Sequence, residues 1–166
     1  TTESLAQARQ ALADDVTHLG ARQLLLRQLV EQRASDQART VARDGLQVHP
    51  EQIGWASVLV RLEMERGDLA AARQVIDQSL PRAGNSADFH SLAGALAQRQ
   101  GKPDDAAEFY RGALRLKPAE GRNWIGLGLA LEGEGHAPEA REAFRRALQT
   151  EGLTPELQSL AERKTR

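Results

Sequence analysis

Apolar positions recur along this chain at intervals of three and four residues, with polar residues between them. The segment "PDDAAEFYRGALRL" (103–116) shows the pattern most plainly. Ala106, Tyr110, Ala113 and Leu114 share one helical face, Pro103 suits the first turn, and Asp104 and Asp105 suit the positive end of the helix. Val, Ile and Thr are few and nowhere alternate with polar residues over a long run, so a strand pattern is missing. Ala, Leu, Gln, Arg and Glu dominate, which favours helix. The chain reads as all-α.

The helical pattern repeats. Ala38, Ala72, Ala106 and Ala140 stand 34 residues apart. Gly67, Gly101 and Gly135 keep the same step, each five residues before its alanine. Small residues follow each alanine by seven positions, at Gly45, Ser79, Ala113 and Ala147, with Ile76, Tyr110 and Phe144 between them in the later units; Pro50 and Pro118 close two units. Physically this is a helix–turn–helix unit. A glycine ends the first helix, where a left-handed backbone costs it nothing, and the second helix starts at once. Small residues at the alanine positions let helix axes approach closely.

These residues resemble the tetratricopeptide repeat (TPR), whose pattern places Trp, Leu-Gly and a large residue on the first helix, then Ala, Phe and Ala on the second, then Pro. The fourth unit matches with Trp124, Leu127, Gly128, Ala140, Phe144 and Ala147, and the third with Gly94, Ala106, Tyr110, Ala113 and Pro118. In the first two units the small position on the first helix holds Leu26 and Val60, and Trp55 sits one residue early. The resemblance implies an α-solenoid of about four 34-residue units in one TPR domain over 1–166. Its repeats would span 19–52, 53–86, 87–120 and 121–154. A helix over 3–13, with Leu5, Ala8 and Leu12 on one face, reads as half of a preceding repeat. A helix over 155–164, with Thr154 as N-cap, Pro155 in its first turn and a stripe of Leu157, Leu160 and Ala161, reads as a solubilising cap.

The glycine-rich stretch "NWIGLGLALEGEGH" (123–136) tests whether the chain binds nucleotides. Gly126 and Gly128 are followed by Leu131 where a dinucleotide fingerprint needs glycine, no strand precedes them, and no Gly-Lys-Ser/Thr follows. In the repeat frame Gly128 is the close-packing glycine and Gly135 the helix stop. Gly133 falls near a helix end. Gly126 is mid-helix, at a cost of about 1 kcal/mol relative to Ala, on the face expected to line a partner-binding groove: it reads either as drift in a well-packed helix or as a place where a partner backbone comes close.

Other chemistry is sparse. The net charge of −1 gives no basic field for nucleic acid or anionic membrane, and no apolar run approaches the roughly 20 residues that span a bilayer. A chain opening on Thr1 reads as a fragment or processed form. Cysteine is absent, which removes disulfides and thiolate ligands. His18, His49, His90 and His136 fall in different units without metal-ligand spacing. Asp88, His90 and Ser91 lie together without a nucleophile turn, so a helix start explains them better than a triad. Asp14–Asp15 and Asp104–Asp105 read as helix-end charges. No catalytic residue, metal or cofactor is assigned.

The family resemblance implies that the first helices of successive units line a concave groove. Position by position, it would include Gln23, Leu24, Arg27, Val30 and Glu31, then Ser57, Val58, Arg61 and Met64. The later units would add Asp88, Ser91, Leu92, Ala95 and Arg99, then Arg122, Ile125, Gly126, Leu129 and Glu132. This mixture of apolar and charged residues suits a peptide or helix. Arg27 and Arg61 occupy equivalent positions and are expected to form a short basic ladder. Salt bridges to Glu31 and Glu65, four residues on, would make it structural; free guanidinium groups would recognise a carboxylate. The Lys/Asn clamp that chaperone-binding relatives use is missing here.

The segment 88–163 is also similar to the C-terminal TPR region of MshN-type proteins of the mannose-sensitive haemagglutinin type IV pilus system. It carries the D-F-H opening, "NWIGLGLALE" (123–132) and "GLTPELQSLAERK" (152–164). That resemblance implies a bacterial parent anchored in the inner membrane, this domain in the periplasm, and pilus or secretion assembly components as partners. The sequence therefore predicts a non-catalytic protein–protein interaction scaffold. The alternative is a self-association module forming a homodimer through groove or end-cap surfaces.

Overall fold

The computed structural model describes residues 2–166. These form ten α-helices and one 3-10 turn, with no strand among the described residues. The chain divides into two compact units, the first ending at Arg82 and the second beginning at Ala83. The first holds α1 (Thr2–Asp14), α2 (Leu19–Glu31), α3 (Ser35–Val48), α4 (Ile53–Arg66), α5 (Leu69–Ser79) and a 3-10 turn at Leu80–Arg82. The second holds α6 (Ala87–Arg99), α7 (Pro103–Leu116), α8 (Gly121–Gly133), α9 (Ala137–Leu148) and α10 (Pro155–Lys164). Within each unit every helix packs on the one before it, as short connections require.

The helix ends explain the period. Gly67, Gly101 and Gly135 all have left-handed backbones, with φ of 85°, 67° and 83°. The position one repeat earlier holds Arg33, which takes the same conformation at φ 56°. The turn geometry is thus kept in the first repeat although its glycine is lost, at a steric cost that glycine avoids. Helix starts are capped by side chains where the sequence supplies them: Asp68 accepts from the Ala71 N–H at 3.0 Å, Ser86 from Phe89 at 3.2 Å, and Thr154 from Leu157 at 3.4 Å. His18 does the same for α2 through Nδ1, which accepts from the Ala21 N–H.

Close packing between the two helices of a repeat is achieved in two ways. In the second unit a glycine faces an aromatic ring. A Cβ at Gly94 would lie 2.9 Å from Tyr110, and one at Gly128 would lie 2.8 Å from Phe144. In the first unit the same register positions hold Leu26 with Ala42 and Val60 with Ile76, all fully or almost fully buried. Volume moves from the second helix to the first, and the pair remains filled. Leu26 and Val60 therefore do not open the N-terminal repeats. Trp55 is buried there, its indole N–H donating to Gln23 Oε1, and its ring lies against Gly45, where a Cβ would come within 2.8 Å.

Candidate functional site

The first helices of the two repeats in the first unit present a mixed surface. On α2 and α4, Leu24 and Val58 are half-buried, while Val30, Arg27 and Arg61 are exposed. Neither Arg27 nor Arg61 forms a hydrogen bond or ion pair with any described residue, so the possible bridges to Glu31 and Glu65 are not made. Two guanidinium groups at equivalent positions thus stand open to solvent beside an apolar strip. Gln23 is exposed but already accepts from Trp55, and the Ser57 hydroxyl donates to the Ile53 carbonyl of its own helix at 2.9 Å. Met64 does not belong to this surface: it is buried.

In the second unit, Arg99, Arg122 and Leu129 are exposed, and neither arginine pairs with a described residue. Leu92, Ala95 and Ser91 are half-buried, and the Ser91 hydroxyl donates to the Ala87 carbonyl. Glu132 is taken by Lys164 at 2.7 Å, and Asp88 by Lys117 at 2.9 Å. That bond and the opposite charge of Asp88 raise the Lys117 ammonium above its ordinary pKa. The Asp88, His90 and Ser91 cluster is a helix start: Ser86 caps α6, and the His90 Nδ1 lies 3.0 Å from the Ser86 carbonyl.

Two more residues expected in the groove, besides Met64, are elsewhere. Ile125 is 3% exposed and joins the core of the second unit. Gly126 is buried beneath Tyr110: a Cβ there would lie 2.4 Å from the ring's Cζ. The arrangement is locked by hydrogen bonds, because the Tyr110 hydroxyl donates to Gln98 Oε1 at 2.9 Å and Gln98 Nε2 donates to the Gly126 carbonyl at 3.1 Å. Burial pushes the Tyr110 phenol up to about 12, so it remains a donor at neutral pH. Gly126 therefore accommodates a ring of its own chain, not a partner. Gly133 has a similar reason, since a Cβ there would meet Pro103 at 2.9 Å.

The sequence reading missed one feature. Glu63 on α4 is only 1% exposed. Its Oε1 accepts from Arg43 Nη2 at 2.8 Å and lies 3.8 Å from Arg39 Nε, while Oε2 receives no hydrogen bond and lies 3.3 Å from Arg66 Nε. Arg39 also pairs with Asp36, and Arg66 with Asp68. The Ala71 N–H and the Arg66 guanidinium hold the Asp68 carboxyl below the usual range. Beside this network, between α3 and α5, is a cavity of about 410 Å³. Leu46, Leu59, Ala71 and Val75 form its apolar wall, and Arg43, Gln47, Gln74 and Gln78 its polar edge, with Glu63 behind. The register carried a signal: the positions equivalent to Glu63 hold Leu29, Ala97 and Leu131. No cluster of His, Asp and Glu able to hold a metal occurs among the described residues, and none of their helices is long and apolar enough to cross a membrane.

Two family models, both of the tetratricopeptide repeat, match residues 29–96 and 91–155. Paired helices ended by left-handed turns on a 34-residue step run through both matched segments. The chain belongs to the tetratricopeptide-repeat family. No curated protein matches it in sequence. Among solved structures, this TPR chain is similar to MamA, with a TM-score of 0.79 and 20% identity over 91% of this chain and 87% of that one. It is also similar to YrrB, described as a TPR protein with an unusual peptide-binding site (TM-score 0.78, 13% identity, 96% and 84% covered). A thermophilic TPR protein from Thermus thermophilus matches with a TM-score of 0.66 and 19% identity, covering 96% and 88%.

Proposed function

We propose that this TPR chain is a non-catalytic scaffold that seats a segment of a partner protein on its first-helix faces. The observation that carries the reading is the pair Arg27 and Arg61, repeat-equivalent, exposed and without an ion pair to any described residue, beside Leu24, Val58 and Val30. Such a surface complements a segment with apolar anchors and acidic residues, because a guanidinium binds a carboxylate through two parallel hydrogen bonds. TPR units are protein-interaction modules, and the peptide-binding site ascribed to YrrB supports the same use of the fold here.

A finer reading rests on the sequence resemblance of 88–163 to MshN-type proteins alone; neither the family models nor the solved structures carry it. The partners are components of a type IV pilus or a related secretion assembly, and the parent protein holds this domain in the periplasm. The test is capture of membrane-assembly proteins from the source bacterium with the chain as bait, repeated with Arg27→Glu and Arg61→Glu together. The double variant should lose the acidic partner by at least tenfold while keeping its helical spectrum. Equal recovery of the same partner would leave the arginines without a recognition role. Partners unconnected with pili or secretion would remove the finer reading alone.

A further inference from the structure

The buried Glu63 and its cavity are unexplained by binding on the first-helix faces. A carboxylate stands where the other repeats place Leu29, Ala97 and Leu131. Burying a charge is costly unless it is paired, and Glu63 is paired with guanidinium groups that differ in their other attachments. Asp36 holds Arg39, and Asp68 holds Arg66. Arg43 forms an ion pair with Glu63 alone, and only through Nη2. The rest of its fork makes no bond to a described residue.

Exposure decides which charge an incoming group can reach. The Arg43 side chain is 56% exposed and edges the cavity, while that of Glu63 is 1% exposed behind it. A ligand entering the cavity meets a cation. It also meets the apolar side chains of Leu46, Leu59 and Val75, and primary amides on both flanks: Gln47 on α3, and Gln74 and Gln78 one turn apart on α5. Amides on two helices suit a backbone that passes across the cavity, and the fork of Arg43 suits a carboxylate.

We propose that this cavity is a second peptide site of the first unit, taking an acidic side chain flanked by apolar residues within a partner segment. Arg43 receives the carboxylate. Glu63 is a positioning residue: it fixes one edge of the Arg43 fork and leaves the other for the ligand. The site is independent of Arg27 and Arg61.

The full chain, labelled with nitrogen-15, is titrated with the blocked peptide acetyl-Leu-Leu-Glu-Leu-amide while the side-chain amide signals of Gln47, Gln74 and Gln78 are followed by NMR. These signals should move, and Arg43→Gln should weaken binding about tenfold, the effect of losing one charged hydrogen-bonded contact. Glutamine keeps an amide that can donate to Glu63, and Arg39 and Arg66 stay 3.8 Å and 3.3 Å from its carboxylate, so that variant should keep the wild-type circular dichroism. Glu63→Leu, whose side chain matches Leu29 and Leu131, should fold and weaken binding because the fork is no longer held. The Arg27→Glu and Arg61→Glu double variant should bind this peptide as the wild type does. Equal binding of the neutral Gln or cationic Lys version of the peptide would overturn the assignment. So would undiminished affinity in Arg43→Gln, or preference for a peptide whose sole carboxylate is its free C-terminus.

Discussion

The contact between Gly126 and Tyr110 can be tested by adding one methyl group. In Gly126→Ala the new Cβ would sit 2.4 Å from Cζ of Tyr110 and 2.6 Å from Cε1 and Cε2. Carbon atoms rest at about 3.5–4.0 Å, so the ring must retreat by about 1 Å. It is not free to do so, because its hydroxyl is tied to Gln98 and Gln98 is tied to the Gly126 carbonyl. Overpacking of this kind costs about 1–3 kcal/mol, and loss of the tyrosine hydrogen bond adds about 1 kcal/mol. Against this, replacing a mid-helix glycine returns about 1 kcal/mol of helix propensity. The net expectation is a loss of about 1–3 kcal/mol in urea unfolding followed by far-UV circular dichroism. Gly54→Ala is the control, since a Cβ there meets nothing within 4 Å; it should be neutral or slightly stabilising. In a Tyr110→Leu background the cost of Gly126→Ala should shrink by more than half. The reasoning fails if Gly126→Ala is as stable as the wild type, or if its cost is the same whether or not the ring is present.

Two further predictions concern the first unit. Arg33→Gly removes the steric cost of a left-handed non-glycine residue at φ 56°, about 1–2 kcal/mol, and gives back part through greater freedom of the unfolded chain. It should raise the urea midpoint, by about 0.5–1 kcal/mol of stability. A lower midpoint would show that the Arg33 side chain contributes more than its backbone costs. Glu63→Leu exchanges a buried charge for an apolar group beside Leu59. Arg43 can then return to water, so the exchange should be neutral or stabilising by about 1–2 kcal/mol, even as binding of the acidic peptide weakens. Marked destabilisation would make the ion network a source of stability.

Much of this architecture was legible in the sequence because its requirements are local. A left-handed turn selects glycine, so Gly67, Gly101 and Gly135 mark the helix ends; a close helix crossing selects small residues, so the alanines keep step. The first repeat was harder to see because Arg33 accepts the strained turn and Leu26 replaces the small residue. Leu26 makes sense only once Ala42 is known to have given up its volume. Gly126 was misplaced for a related reason. Counting along α8 puts it with the groove positions, but the ring that covers it comes from α7, and spacing within one helix does not reveal what the preceding helix projects. Glu63 was a break in an apolar register, visible in the sequence, but its three arginines come from α3 and α4 and meet only in the fold.

The exchange of volume between paired positions has an engineering consequence. The repeats share a period, yet their helices are not interchangeable parts. Grafting α8 in place of α2 would set Gly128 opposite Ala42 and leave a hole; grafting α2 in place of α8 would drive Leu26 into Phe144. The transferable cassette is the matched hairpin, carried over whole. Lengthening or shuffling this protein should therefore cut at the turns that precede each first helix, never at the glycines within a repeat.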